Sequence, residues 1–173
     1  CSSDLVGEYI HQMVRAYTRL HRDDVAVFTS SWKDRPAPHL ADDLGARIVD
    51  RKVPVGLLNF LWHRTGRPEV ETLAGACDVV HAAHPIAIPA RHAAQVVTVH
   101  DLFFLSEPDR TRGEIRRDYP SLAGPSARHA HAVVTSTEYG KSLVVNKLGV
   151  VAHHVHVCPA GAPEWEHLGR KVA

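Results

Sequence analysis

Two titratable side chains follow directly on an apolar run. In Gln95-Val-Val-Thr-Val-His-Asp-Leu-Phe-Phe-Leu105, Val96, Val97 and Val99 are β-branched and nearly continuous. Such a run fits a strand buried on both faces of a parallel sheet. His100 and Asp101 stand where that strand must emerge. In open α/β sheets the carboxyl edge of the strands is where ligands bind. A neutral imidazole at that edge donates or accepts a hydrogen bond according to its partner. The competing reading is a polar loop that ends a strand.

Three further groups have suitable chemistry. Ser136-Thr137-Glu138 follows a second apolar run, Ala132-Val-Val-Thr135, and opens a helix. Free N–H groups from Ser136 to Tyr139 attract phosphate or carboxylate there, or are met by ordinary capping. Gly7 falls in the first turn of an N-terminal helix, where a glycine admits a ligand or another backbone. The alternative is a tolerated helix glycine. The 14 histidines scatter along the chain without HExxH spacing, and no CxxC occurs. Their tightest group is His153, His154 and His156. Solvated loop histidines explain it without an ion, and no metal is expected. A metal phosphohydrolase built on His100-Asp101 needs further His and Asp ligands, and the chain shows no such set. No GxGxxG follows a strand, which disfavours dinucleotide binding.

The positioning elements follow from periodicity. Leu5, Val6, Tyr9, Ile10, Met13, Val14, Tyr17 and Leu20 make one helical stripe, with Ser3 or Asp4 as its cap. Strands are predicted over 24–29, 46–49, 77–81, 132–135 and 155–158, beside the central one. Residues 30–43 read as loop. Arg51 to Trp62 is apolar with a basic start. Leu58, Leu61 and Trp62 share a helical face, which favours core packing over a membrane-surface or acceptor-docking helix. A short helix follows over 68–76. Pro85 and Pro89 interrupt a loop and short helix before the central strand. Residues 110–129 are predicted as two helical pieces divided near Pro120, with Ile115, Tyr119 and Leu122 inward. Gly149 closes the next helix at C′. Strands alternating with helices imply a mostly parallel sheet covered on both faces.

At 173 residues the chain is long enough for one domain with a substantial core. Its 45% hydrophobic and 23% charged content is ordinary for a globular protein. A net charge of +1 gives no electrostatic reason for a nucleic-acid partner. No apolar run reaches the roughly 20 residues of a membrane span, and no signal-peptide pattern is seen. Cys1, Cys77 and Cys158 are isolated and odd in number, which suggests a reduced, cytoplasmic protein.

In order, these segments resemble the N-terminal domain of glycosyltransferase family 4, the group 1 glycosyltransferases of GT-B fold. The resemblance runs from Gly7 to Gly161. Val6-Gly7-Glu8-Tyr9 is similar to the family's Gly-x-Tyr start of the first helix. Asp78-Val-Val-His81 is similar to the strand before the sugar-site loop. Val97-Thr-Val-His-Asp-Leu-Phe-Phe-Leu-Ser-Glu-Pro108 is the most specific segment. Arg116-Arg117-Asp118-Tyr119 resembles a recurring Arg/Tyr segment. Ala132-Val-Val-Thr-Ser-Thr-Glu138, Leu148-Gly149 and Val155-His-Val-Cys-Pro-Ala-Gly161 follow the closing series, with Ala160 in place of the usual Asn.

The resemblance implies an α/β, Rossmann-like three-layer domain with a mostly parallel sheet, spanning residues 1–173 as the N-terminal half of a GT-B glycosyltransferase. That half mainly holds the acceptor. A C-terminal half with paired glutamates would hold the sugar-nucleotide, and it is absent from this chain. No strand precedes the first helix and there is no initiator Met, so residues are expected before Ser2. By resemblance the enzyme transfers a sugar, mannose being drawn from similar bacterial proteins, from a nucleotide-sugar with retention. It requires no metal, and the nucleotide-sugar is co-substrate, not cofactor. His100 resembles the active-site histidine that hydrogen-bonds the transferred sugar or acceptor hydroxyl, and Asp101 orients it or binds an acceptor hydroxyl. Gly7 lies near the donor phosphate. Arg116 and Arg117 are set to bind an anionic acceptor, with solvated helix charges as the alternative. Ser136 and Glu138 complete the substrate contacts. The implied partners are the acceptor, the nucleotide-sugar, the C-terminal domain and, peripherally, the inner face of a membrane. The isolated domain is expected to be inactive. A non-catalytic Rossmann-like ligand-binding module is the alternative, because fold does not fix function.

Overall fold

β-Branched runs become strands and amphipathic stretches become helices through most of the chain. The computed structural model describes residues 2–20, 24–30, 32–33, 35–111 and 113–161, with side chains from residue 6. The side chains of the expected Ser3 or Asp4 cap, and the turn and tail beyond Gly161, lie outside what is described. The order is α1 (Ser2–Leu20), β1 (Ala26–Thr29), α2 (Leu40–Leu44), β2 (Arg47–Asp50), α3 (Val55–Thr65), α4 (Val70–Ala74), β3 (Val79–Ala82), β4 (Ala94–Thr98), α5 (Phe103–Ser106), α6 (Gly113–His129), β5 (Ala132–Thr135), α7 (Glu138–Leu143) and β6 (Val155–Val157). A wider turn over Val144–Leu148 prolongs α7. Gly149 then closes it in the left-handed region at φ 69°.

All strand pairs are parallel, as expected of a Rossmann-like α/β domain. They form two sheets: β1-β2, and β3-β4-β5-β6. The sequence implies one sheet, but among the described residues no hydrogen-bonded ladder joins β1 to β3. In the larger sheet Val97 faces Ala82 on one side and Val133 on the other. Val97, Thr98 and Val99 are all buried, so β4 is covered on both faces as its composition requires. α6 supplies Ala123 and Ala127, and the α7 segment Val144 and Leu148, to one core with Val97, Val133 and Val155. A satellite cluster joins Val14 of α1 to Leu44 and Ala46 beside the small sheet.

Several expectations are corrected. Residues 110–129 do not form two pieces: α6 is continuous through Pro120 and Pro125. Each proline removes one i to i−4 bond, but the buried face Ala123, Gly124 and Ala127 holds the turns together. The Arg128 guanidinium also ties α6 to the Leu148 carbonyl at 2.7 Å. Ile115 points outward. The α1 stripe ends early: Tyr17 and Leu20 are exposed, and Thr18 takes the inward position by donating to the Leu44 carbonyl at 2.9 Å. Residues 40–43, at the end of the segment expected as loop, belong to α2. No helix forms between β3 and β4. That segment is held instead by the Glu71 carboxylate, which accepts the N–H groups of Arg91, His92 and Ala93 at 2.9–3.1 Å. α3 is only partly a core helix. Leu58 is buried and Leu61 and Trp62 are half-buried, but Val55, Leu57 and Phe60 are exposed.

Candidate functional site

The sheet presents His100 at its carboxyl edge. β4 ends at Thr98, the buried Val99 follows, and His100 emerges half-buried. The parallel register of β3 with β4 brings the segment after Ala82 alongside. There the Ala83 carbonyl lies 3.3 Å from His100 Nε2. A carbonyl only accepts, so this ring nitrogen carries the hydrogen and donates. In the neutral ring Nδ1 is then left as an acceptor. Tyr9 of α1 meets the imidazole edge-on, with centroids 4.9 Å apart. The first helix and the carboxyl edge of β4 therefore meet at His100.

Asp101 is exposed, and its Oδ1 accepts the Phe103 N–H at 2.9 Å. No hydrogen bond joins it to His100, so it shapes the turn into α5 and does not orient the ring. Its second oxygen has no hydrogen-bond partner among the described residues. Gly7 is exposed on α1, two residues before Tyr9, and a Cβ there would meet nothing within 4 Å. Ser136 is half-buried just before the N-cap of α7, and Glu138 is exposed at the helix's first position. Capping is done by Thr137, whose Oγ1 accepts the Gly140 N–H at 2.9 Å. Arg116 and Arg117 are exposed and already paired. Arg116 bonds Asp109 at 2.9 Å, and Arg117 grips both oxygens of Asp118 at 2.7 Å. That grip raises the Arg117 pKa and lowers that of Asp118. Neither arginine touches His100 or Asp101.

Two half-buried histidines lie on β3 and just after it. His81 lies 2.8 Å from the Thr98 hydroxyl. Burial, and then the neighbouring His100, lowers its pKa. His84 stacks on Tyr119 of α6, with centroids 6.4 Å apart, and burial lowers its pKa too, against the raising effect of Glu114. Burial, assisted by Glu114, pushes Tyr119 up to about 12.

The sequence reading missed one polar group. His63 of α3 meets Asp118 of α6 at 3.1 Å through Nδ1 and Glu114 at 3.9 Å through Nε2. Asn59, one turn earlier on α3, donates to both Glu114 oxygens at 2.7 and 2.9 Å. The only sequence signal was two carboxylates four apart on one helix face; His63 is 55 positions from Asp118. The His153 and His154 rings do touch, at 4.4 Å between centroids. They belong to no set of three metal-capable groups among the described residues.

No described helix is long and apolar enough to cross a membrane. A family model described as Glycosyltransferase Family 4 matches residues 6–164. Comparison with curated proteins finds no match.

Proposed function

The chain belongs to glycosyltransferase family 4, and on that premise we propose that it is the acceptor-side, N-terminal domain of a retaining GT-B enzyme. The observation that carries this reading is His100: half-buried at the carboxyl edge of β4, donating through Nε2 to Ala83 and leaving Nδ1 as acceptor. Charge builds on the sugar ring and the leaving phosphate as the glycosyl bond breaks. Fixed donors, acceptors and dipoles placed at those atoms lower the barrier. His100 Nδ1 accepts from a hydroxyl of the transferred sugar or of the acceptor. Asp101 offers its unpartnered oxygen to an acceptor hydroxyl. Gly7 leaves space for the donor phosphate beside the Tyr9–His100 contact. The nucleotide is held mainly by a donor domain outside this chain, so the chain alone does not turn over.

The test uses the protein joined to its donor domain and a panel of nucleotide-sugars, beginning with nucleotide-mannose. His100→Ala lowers turnover on the order of 100-fold with little change in melting temperature. Unchanged turnover would remove His100 from the site, and transfer by the isolated chain would remove the half-enzyme reading.

The outward face of α3 supports peripheral attachment to an anionic membrane. Leu57 and Phe60 are exposed three residues apart, and Arg51, Lys52 and Arg64 flank them. An apolar face with basic neighbours is the chemistry of an interfacial helix. Co-sedimentation with anionic but not neutral vesicles, weakened by Leu57→Ser with Phe60→Ser, is the expected result.

A further inference from the structure

We propose that His63, Glu114 and Asp118 bind one divalent transition-metal ion of the zinc type, between α3 and α6. One ligand atom from each residue lies within 4.8 Å of the others. Ligands around a single ion with bonds of about 2.0–2.2 Å sit roughly 3–4 Å apart, so small side-chain rotations close the set. An imidazole with two carboxylates is a nitrogen-and-oxygen donor set. The imidazole favours zinc, cobalt or nickel over magnesium or calcium. The side chains are 12%, 34% and 14% exposed, which shelters the site yet leaves it open to solvent on the Glu114 side.

The electrostatics favour a cation there. Both ring nitrogens of His63 face a carboxylate oxygen. An ion bound at one ring nitrogen takes up its lone pair, and the other nitrogen keeps its N–H to donate to a carboxylate oxygen. The surrounding bonds suit the role. Asn59 holds Glu114 in place from α3. Each ionised carboxylate has about four lone-pair sites, so neither the Asn59 nor the Arg117 contacts exhaust them. Arg117 is 69% exposed and free to swing off Asp118 when the ion arrives. Three protein ligands leave one position of a tetrahedral ion for water or a ligand oxygen. The ion cross-links the two helices through side chains that make no printed contact with His100, so the inference does not depend on the transferase reading.

The experiment takes the untagged chain, stripped with a chelator, and titrates it with Zn²⁺ by calorimetry and Co²⁺ by visible absorption. One equivalent binds, the Co²⁺ bands of a four- or five-coordinate site appear, and the melting temperature rises. His63→Ala and Glu114→Gln each weaken binding by at least about tenfold, while His153→Ala with His154→Ala leaves it unchanged. Circular dichroism confirms that each variant is folded. If His63→Ala does not fold, the near-isosteric Glu114→Gln and the wild-type cobalt spectrum decide. No saturable binding at micromolar metal, or binding that both ligand variants leave intact, overturns the proposal.

Discussion

The Tyr9 ring stands edge-on to the His100 imidazole, with centroids 4.9 Å apart and planes at 88°. The contact joins the first helix to the end of the central strand. It limits the rotation of His100 about the bond to Ala83. An aromatic pair of this geometry is worth about 0.5–1.5 kcal/mol. With the donor domain present, Tyr9→Ala therefore lowers kcat by up to about tenfold, with KM nearly unchanged, and Tyr9→Phe restores it. Steady-state kinetics separate the two. Equal loss in both variants would mean that the hydroxyl, not the ring, matters.

Gly140 packs against the sheet more closely than any side chain allows. A Cβ there would lie 2.4 Å from Thr135 Oγ1 and 3.2 Å from Thr137 Oγ1. Thr135 is buried and β-branched, so it cannot turn aside. Gly140→Ala is expected to cost about 1–3 kcal/mol, measured by chemical denaturation. Adding Thr135→Ala recovers part of the loss.

Glu71 ties α4 to the segment before β4. The His92 N–H is the largest cause of its depressed pKa, about 2 against 4.5. A carboxyl lowered on folding contributes stability above its unfolded pKa and loses it as pH falls through the native value. The wild type therefore loses stability between pH 4.5 and about 2. Glu71→Gln is less stable near neutral pH and flatter across that acid range. Denaturation midpoints over a pH series read the difference.

His81 works in a different pH window. Burial is the first cause of its lowered pKa, against an ordinary 6.5. The unfolded chain takes up the proton first, so stability is present above pH 6.5 and falls as pH drops from there towards the lowered native value. His84 has the same sign. Denaturation at about pH 7.5 and about pH 5.5 should show a less stable protein at the lower pH. His81→Gln, which can still hydrogen-bond Thr98, should narrow that gap.

The main strands were legible because β-branched runs have few other uses. Strands form over Ala94–Thr98 and Ala132–Thr135 where Val96–Val99 and Ala132–Thr135 were expected, with Val97, Thr98, Val133 and Thr135 buried. Gly149 closes its helix because only glycine takes φ 69° without strain. α6 was misread because proline's local penalty was weighed without the packing of Ala123 and Ala127, which outweighs it. In α3 the expected face of Leu58, Leu61 and Trp62 is the one that packs, while the exposure of Leu57 and Phe60 was not legible, because a short apolar segment does not state how many of its faces find a partner.

By itself the sequence determined the alternation of strand and helix, the family, and the place of His100 at a strand end. These depend on local side-chain preference and on the order of segments along the chain. Only the tertiary structure decided what surrounds that histidine. Tyr9 and Ala83 reach it, while Asp101 turns to the backbone and Arg116 and Arg117 to neighbouring carboxylates. Only folding brought His63 to Glu114 and Asp118, because contact across 55 positions is set by helix packing and leaves no periodic trace in the chain.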